Sequence, residues 1–186
     1  MSVFVALLRG VNVGGNNLIR MSALKACFEA QAFSDVVTYI QSGNVVFTAP
    51  GADRPQLTLR IEKALSKAFA YQSRVVVCSL EQMRETVASA PKGFGRQPAV
   101  YRYDVVFLKD PLTAADALKS LTVKPGVDRV WAGERVLYSS RLISKATQSR
   151  LGRLVGTPAY QFMTIRNWNT TCRLRELMER IQVASA

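Results

Sequence analysis

The chain contains no histidine among its 186 residues. That absence excludes Ser-His-Asp and Cys-His nucleophile pairs and removes the commonest metal ligand. Any catalysis would fall to carboxylates, lysine, tyrosine or the backbone, and no catalytic group stands out. Cysteine is sparse: Cys27, Cys78 and Cys172 are far apart and odd in number. With no Cys-x-x-Cys spacing, neither a zinc site nor a disulfide framework is expected, and no metal or cofactor is implied. Long apolar runs are missing as well. Val3–Leu8 is stopped by Arg9, too short for a membrane span and without the flanks of a secretory signal. A cytoplasmic protein with no membrane partner is the expectation. Acid is scarce too, with 13 Asp and Glu against 25 Lys and Arg and a formal net charge of +12.

That imbalance is local. No acid occurs between Glu134 and Glu176, an interval holding seven arginines and Lys145. A field of one sign attracts phosphates, polyanions or acidic partners, so nucleic acid or a nucleotide is the partner this surface suggests; a merely solvated basic face is the plainer reading. A hydrophobic share of 48% with 20% charged residues reads as globular, and the length suffices for one ordinary domain or two compact halves.

Periodicity supplies the elements. Val3–Leu8 reads as a buried strand. A helix follows from about Ser22 as N-cap, with Leu24, Cys27 and Phe28 on one face. Val36–Gln41 and Val45–Thr48 are β-branched and aromatic, joined by a tight Ser42-Gly43-Asn44 connection. Leu57, Ile61, Leu65 and Phe69 recur at helical spacing, and Arg74–Cys78 is a valine-rich strand. Strand, helix, strand, strand, helix, strand with right-handed crossovers gives a four-stranded antiparallel sheet with two helices on one face, the ferredoxin-like arrangement.

Ser79-Leu80-Glu81-Gln82 is a capping box opening another helix. The glycine- and proline-bearing stretch Pro91–Pro98 suits a lid or a boundary between halves. Beyond it the order repeats: strand Asp104–Leu108, helix Thr113–Leu121 capped by Thr113, and a hairpin of Arg129–Ala132 and Arg135–Ser140. A helix near Thr147–Leu154, an extended run near Gln161–Ile165 and a last helix capped by Asn169 or Thr170 complete it, with Glu176 set to pair with Arg180. The expected fold class is α+β, two ferredoxin-like modules spanning residues 1–90 and 99–186, the second with an added C-terminal helix.

Two loops carry candidate ligand contacts. After the first strand, Gly10, Gly14 and Gly15 precede a helix, the context in which backbone amides hold anions. The stretch matches neither nucleotide fingerprint, however. In the proposed sheet this loop and the Ser42-Gly43-Asn44 corner share an edge, converging Arg9, Asn12, Gln41, Ser42 and Asn44. Their amides, hydroxyl and guanidinium suit a carboxylate or phosphate, and equally suit a structural turn. Arg166, Asn167, Trp168 and Asn169 open the last helix beside the acid-free interval, and arginine with an aromatic ring suits single-stranded nucleic acid or nucleotides. Lys145, following Ser144, is a further basic candidate. Asp104 and Asp110 flank a strand at even spacing and fit a hydrolytic dyad poorly.

The runs Leu7-Leu8-Arg9-Gly10-Val11-Asn12-Val13-Gly14-Gly15, Tyr39–Phe47 and Arg166-Asn167-Trp168-Asn169-Thr170 together resemble domain-of-unknown-function family 1697, a widespread bacterial group. The resemblance extends over essentially the whole chain. It implies a soluble bacterial protein built from ferredoxin-like subdomains and no settled activity. Two readings follow: a noncatalytic basic module binding an anionic ligand, and a small-substrate enzyme positioning an anionic substrate in a cleft between modules.

Overall fold

A computed structural model describes residues 1–12, 18–50, 53–69 and 72–185. The chain divides into two compact units, Met1–Arg84 with Arg173–Ala186, and Glu85–Cys172. Each is an α+β module built on a four-stranded antiparallel sheet.

The first unit runs β1 (Ser2–Leu8), α1 (Met21–Glu29), β2 (Ser34–Tyr39), β3 (Asn44–Ala49), α2 (Arg54–Phe69) and β4 (Val75–Ser79). Its sheet order is β2-β3-β1-β4, the ferredoxin-like order that the element sequence predicts. Alternate residues of β1 and β3, Phe4, Ala6, Leu8, Val45 and Phe47, pack with Leu24 and Phe28 of α1 and Leu57, Ile61 and Leu65 of α2. Phe47 lies at the centre, its ring 4.6 Å from that of Phe33 and 5.4 Å from that of Phe28. Each such buried side chain contributes roughly 1.5–3 kcal/mol of transfer free energy. Val3, Val5, Leu7 and Val46 on the opposite face are buried too, and burial on both faces explains why β1 is apolar without alternation.

The unit also takes the start of α3 (Leu80–Ala88) and most of α5 (Trp168–Ala184), with Leu80, Met83, Leu174 and Met178 buried. Arg84 and Glu179 join the two helices at 3.2 Å. The α3 capping box forms in both directions: the Gln82 amide donates to Ser79 Oγ, and Gln82 Oε1 accepts from the Ser79 amide at 3.0 Å.

In the second unit β5 (Tyr101–Leu108), α4 (Ala114–Lys119), β6 (Asp128–Ala132), β7 (Val136–Leu142) and β8 (Met163–Asn167) give the sheet order β6-β7-β5-β8. Val106, Leu108, Leu137 and Met163 pack with Ala117 of α4 and with Leu154 on one face. On the other, Phe94 is surrounded by the rings of Tyr103, Trp131, Tyr138 and Trp168 at 4.8 to 6.0 Å. The Pro91–Pro98 stretch therefore lies inside this unit, pinned by one buried aromatic side chain.

Several local expectations need correction. The helix expected near Thr147–Leu154 is instead a series of 3-10 segments, Ile143–Gln148, Leu151–Gly156 and Pro158–Phe162. Gly152, Gly156 and Pro158 with the β-branched Thr147, Val155 and Thr157 deny this stretch an uninterrupted α-helical run. Helix α1 starts after Arg20, with no side-chain cap, so Ser22 falls within its first turn. Helix α5 starts earlier than expected, and Asn167 Oδ1 accepts from the Asn169 amide at 3.0 Å in the capping role. Glu176 pairs with Arg173 at 2.9 Å.

Candidate functional site

The first unit brings its two glycine-bearing loops together. Leu7 pairs with Asn44 across β1 and β3, the Leu8 amide donates to the Gly43 carbonyl at 2.8 Å, and the Arg9 amide donates to the Arg74 carbonyl at 2.9 Å. Gly43 has φ +68°, and a Cβ there would lie 2.8 Å from Leu8 Cβ and 3.3 Å from Val11 Cβ. Only glycine permits this approach. Asn12 and Ile40 are also left-handed, at φ 54° and 47°, a concentration of strained backbone at one rim.

The polar groups of that rim hold the loops. Asn12 Nδ2 donates to the carbonyls of Ile19 and Gln41 at 3.0 and 2.9 Å, and its Oδ1 accepts from the Ile19 amide at 2.8 Å. Asn44, fully buried, donates to the Tyr39 carbonyl and to Ser42 Oγ, both at 3.0 Å. Arg9 is half-buried and the side chain of Gln41 exposed. Gly14 and Gly15 lie outside the described residues.

The second unit assembles its polar residues on a sheet face. Because side chains alternate along a strand, Arg102 and Asp104 of β5 share the face of Val106, while Tyr101 and Tyr103 lie on the other. Register then builds rows: Arg102 faces Arg141 of β7, which faces Asp128 of β6; Asp104 faces Ser139 of β7 and Asn167 of β8. Arg102 Nε donates to Asp104 Oδ2 at 2.8 Å. Two adjoining cavities open here, of about 380 and 410 Å³, both lined by Arg102, Arg141 and Asn167. The larger also takes Tyr101, Trp168 and Asn169 as walls and, among the described residues, includes no carboxylate. Asn167 is held by donating to the Tyr103 carbonyl at 3.1 Å.

Asp128 of β6 ends the row that Arg102 and Arg141 begin. Its Oδ2 accepts from the amides of Lys124 and Arg150 at 3.0 and 2.9 Å. Burial alone would raise this carboxyl, but the Arg150 amide, the Ser149 hydroxyl, the Lys124 amide and the Arg141 charge outweigh it and hold the pKa below the ordinary value. Arg166 points to the opposite face, almost wholly buried, donating to Thr164 Oγ1 and the Ile165 carbonyl at 2.8 and 2.9 Å. Desolvation brings its guanidinium down to about 10, so it stays charged at neutral pH. Lys145 is exposed in a 3-10 segment whose Ile143 and Ala146 line the larger cavity. Asp110 pairs with Arg135 at 2.7 Å and Asp104 with Arg102, so the two acids serve separate pairs.

A family profile described as "Protein of unknown function (DUF1697)" matches residues 1–138, which include both loops of the rim. The chain belongs to this family. It is similar over 95% of its length to 98% of a solved conserved bacterial protein from Streptococcus pneumoniae, at 23% identity and a TM-score of 0.82. At that identity the likeness shows the fold alone. No curated protein matches the chain. Among the described residues no helix is long and apolar enough to cross a membrane.

Within this member of the family, Tyr101, Arg102 and Arg141 escaped sequence reasoning. Starting the strand at Asp104 hid the alternation Tyr101-Arg102-Tyr103-Asp104, which already assigns arginine and aspartate to one face and two tyrosines to the other. Arg141 stood in the acid-free interval with nothing to distinguish it from its neighbours until register paired it with Arg102.

Proposed function

We propose that this protein is a noncatalytic module that binds an anionic ligand, a nucleotide or nucleic acid, in the groove of its second unit. One observation carries the reading: Arg102 and Arg141 stand opposite each other on neighbouring strands and line both adjoining cavities. Paired guanidinium groups present several donors to phosphate oxygens at fixed geometry. Asn167, Trp168 and Asn169 add an amide-bearing, aromatic wall, which suits a ligand combining phosphate with a base. Among the sequence candidates, these three have direct access to the groove. We assign Asn12 and Asn44 to holding the rim, since their amides bond to backbone carbonyls.

The test is fluorescence anisotropy of a labelled single-stranded oligonucleotide titrated with the protein at several salt concentrations. Affinity is expected to fall as salt rises, because bound phosphates release counterions. A flat salt response, or no binding of oligonucleotide or labelled nucleotide, removes the proposal.

A further inference from the structure

Past the two arginines the lining turns round the start of β5 onto the face of the sheet that carries Tyr101 and Tyr103. A third cavity, of about 200 Å³, adjoins the larger one and shares Tyr101 and Tyr103 with it; Lys92, Arg129 and Trp131 are among its other walls. Three cavities are thus strung in series, the first two joined at Arg102, Arg141 and Asn167, the last two at the tyrosines. Tyr103 is buried under Phe94, whose ring lies 4.8 Å away, whereas Tyr101 is partly exposed. The Arg129 guanidinium lies over the Tyr101 ring at 5.9 Å from its centroid. Among the described residues, neither cavity flanking Tyr101 has an Asp or Glu in its wall.

Resting on the anion-binding reading above, we infer that the ligand is a single strand of nucleic acid several nucleotides long, with one base stacked on Tyr101. The chemistry follows from the order of the walls. Arg102 and Arg141 line the cavity on one side of Tyr101 from the opposite sheet face, and Arg129 and Lys92 line the cavity on its other side, so a chain of phosphates passing round the start of β5 meets a cation pair, a π face, then a second cation pair. A mononucleotide engages one pair only. A duplex keeps its bases stacked inward and cannot offer one to the ring, whereas an unpaired strand can. Phe94 acts as a positioning residue: it packs against Tyr103, Trp131 and Trp168, and Gly95 beside it lies so close to the indole that a Cβ there would collide with Trp168. The aromatic walls on both sides of Tyr101 are therefore fixed in advance of binding, which lowers the ordering cost.

The experiment compares a labelled thymidine strand of about eight nucleotides with an abasic strand of equal length and equal phosphate number, by anisotropy at one salt concentration. The full strand is expected to bind more tightly than the abasic one. Tyr101→Ala should weaken the full strand roughly 5- to 150-fold, the range for loss of one stacked base, and leave the abasic strand unchanged. Tyr101→Phe should keep full affinity, and thermal unfolding of both variants checks that the fold persists. Equal binding of full and abasic strands by the wild-type protein would overturn the inference while leaving anion binding intact. So would a duplex of the same length bound as tightly as the single strand. No binding of any of these probes would remove both readings.

Discussion

Gly43 fixes how closely the first unit's two loops approach. Its left-handed backbone and the 2.8 Å separation from Leu8 Cβ that any Cβ would adopt make two independent demands on one position. Gly43→Ala should therefore destabilise the protein by about 2 kcal/mol, read as a lower urea midpoint at unchanged slope. Asp128 carries a different load. Its carboxylate satisfies two backbone amides and faces Arg141, so Asp128→Asn should cost about 1–2 kcal/mol at neutral pH. Because its folded pKa lies below the ordinary 3.8, the carboxylate's stabilisation is complete above that value. It is lost as pH falls through the folded pKa. Unfolding midpoints of wild type and Asp128→Asn should accordingly converge in acid and separate above about pH 4; a gap that stayed constant down to strong acid would contradict this assignment.

At the scale of elements, local chemistry decided what the sequence could reveal. The capping box at Ser79 and Gln82 and the Thr113 cap were readable because each is a contiguous pattern, and both form. Thr113→Ala should lower stability by about 1 kcal/mol, measured by chemical denaturation, since α4 is only six residues long and Thr113 Oγ1 accepts its Asp116 amide. The stretch Thr147–Leu154 misled because its apolar spacing imitates a helix, while Gly152 within it and Gly156 and Pro158 just beyond it deny the run room to extend. The capping role of Asn167 was equally hidden. Sequence cannot say which of Asn167, Asn169 and Thr170 caps α5, because that depends on where β8 ends. The four strands of each sheet were legible from apolar period and turn chemistry; the start of β5 was not, since Tyr101-Arg102-Tyr103 alternates polar and aromatic residues with no apolar core of its own.

For the whole molecule, net charge suggests the kind of partner that we propose, and register suggests where on the second unit it would bind. The acid-free interval pointed to the second half, but charge count alone treats all its cations alike. Arg166, prominent in sequence, is buried on the opposite sheet face, while Arg102, outside the interval, pairs across the sheet with Arg141. Pairing between strands is a long-range fact, invisible to windowed reading, and it alone distinguishes those two arginines. The most direct measurement is therefore the salt dependence of single-strand affinity for wild type and for the Arg102→Ala, Arg141→Ala double variant, by anisotropy. Each phosphate contact on a single strand contributes about 0.7 to the slope of log affinity against log salt. The double variant should lose about 1.4 of that slope, which removes roughly sevenfold of the affinity change between about 50 and 200 mM salt. A double variant with wild-type affinity and wild-type slope would show that the groove holds no phosphate.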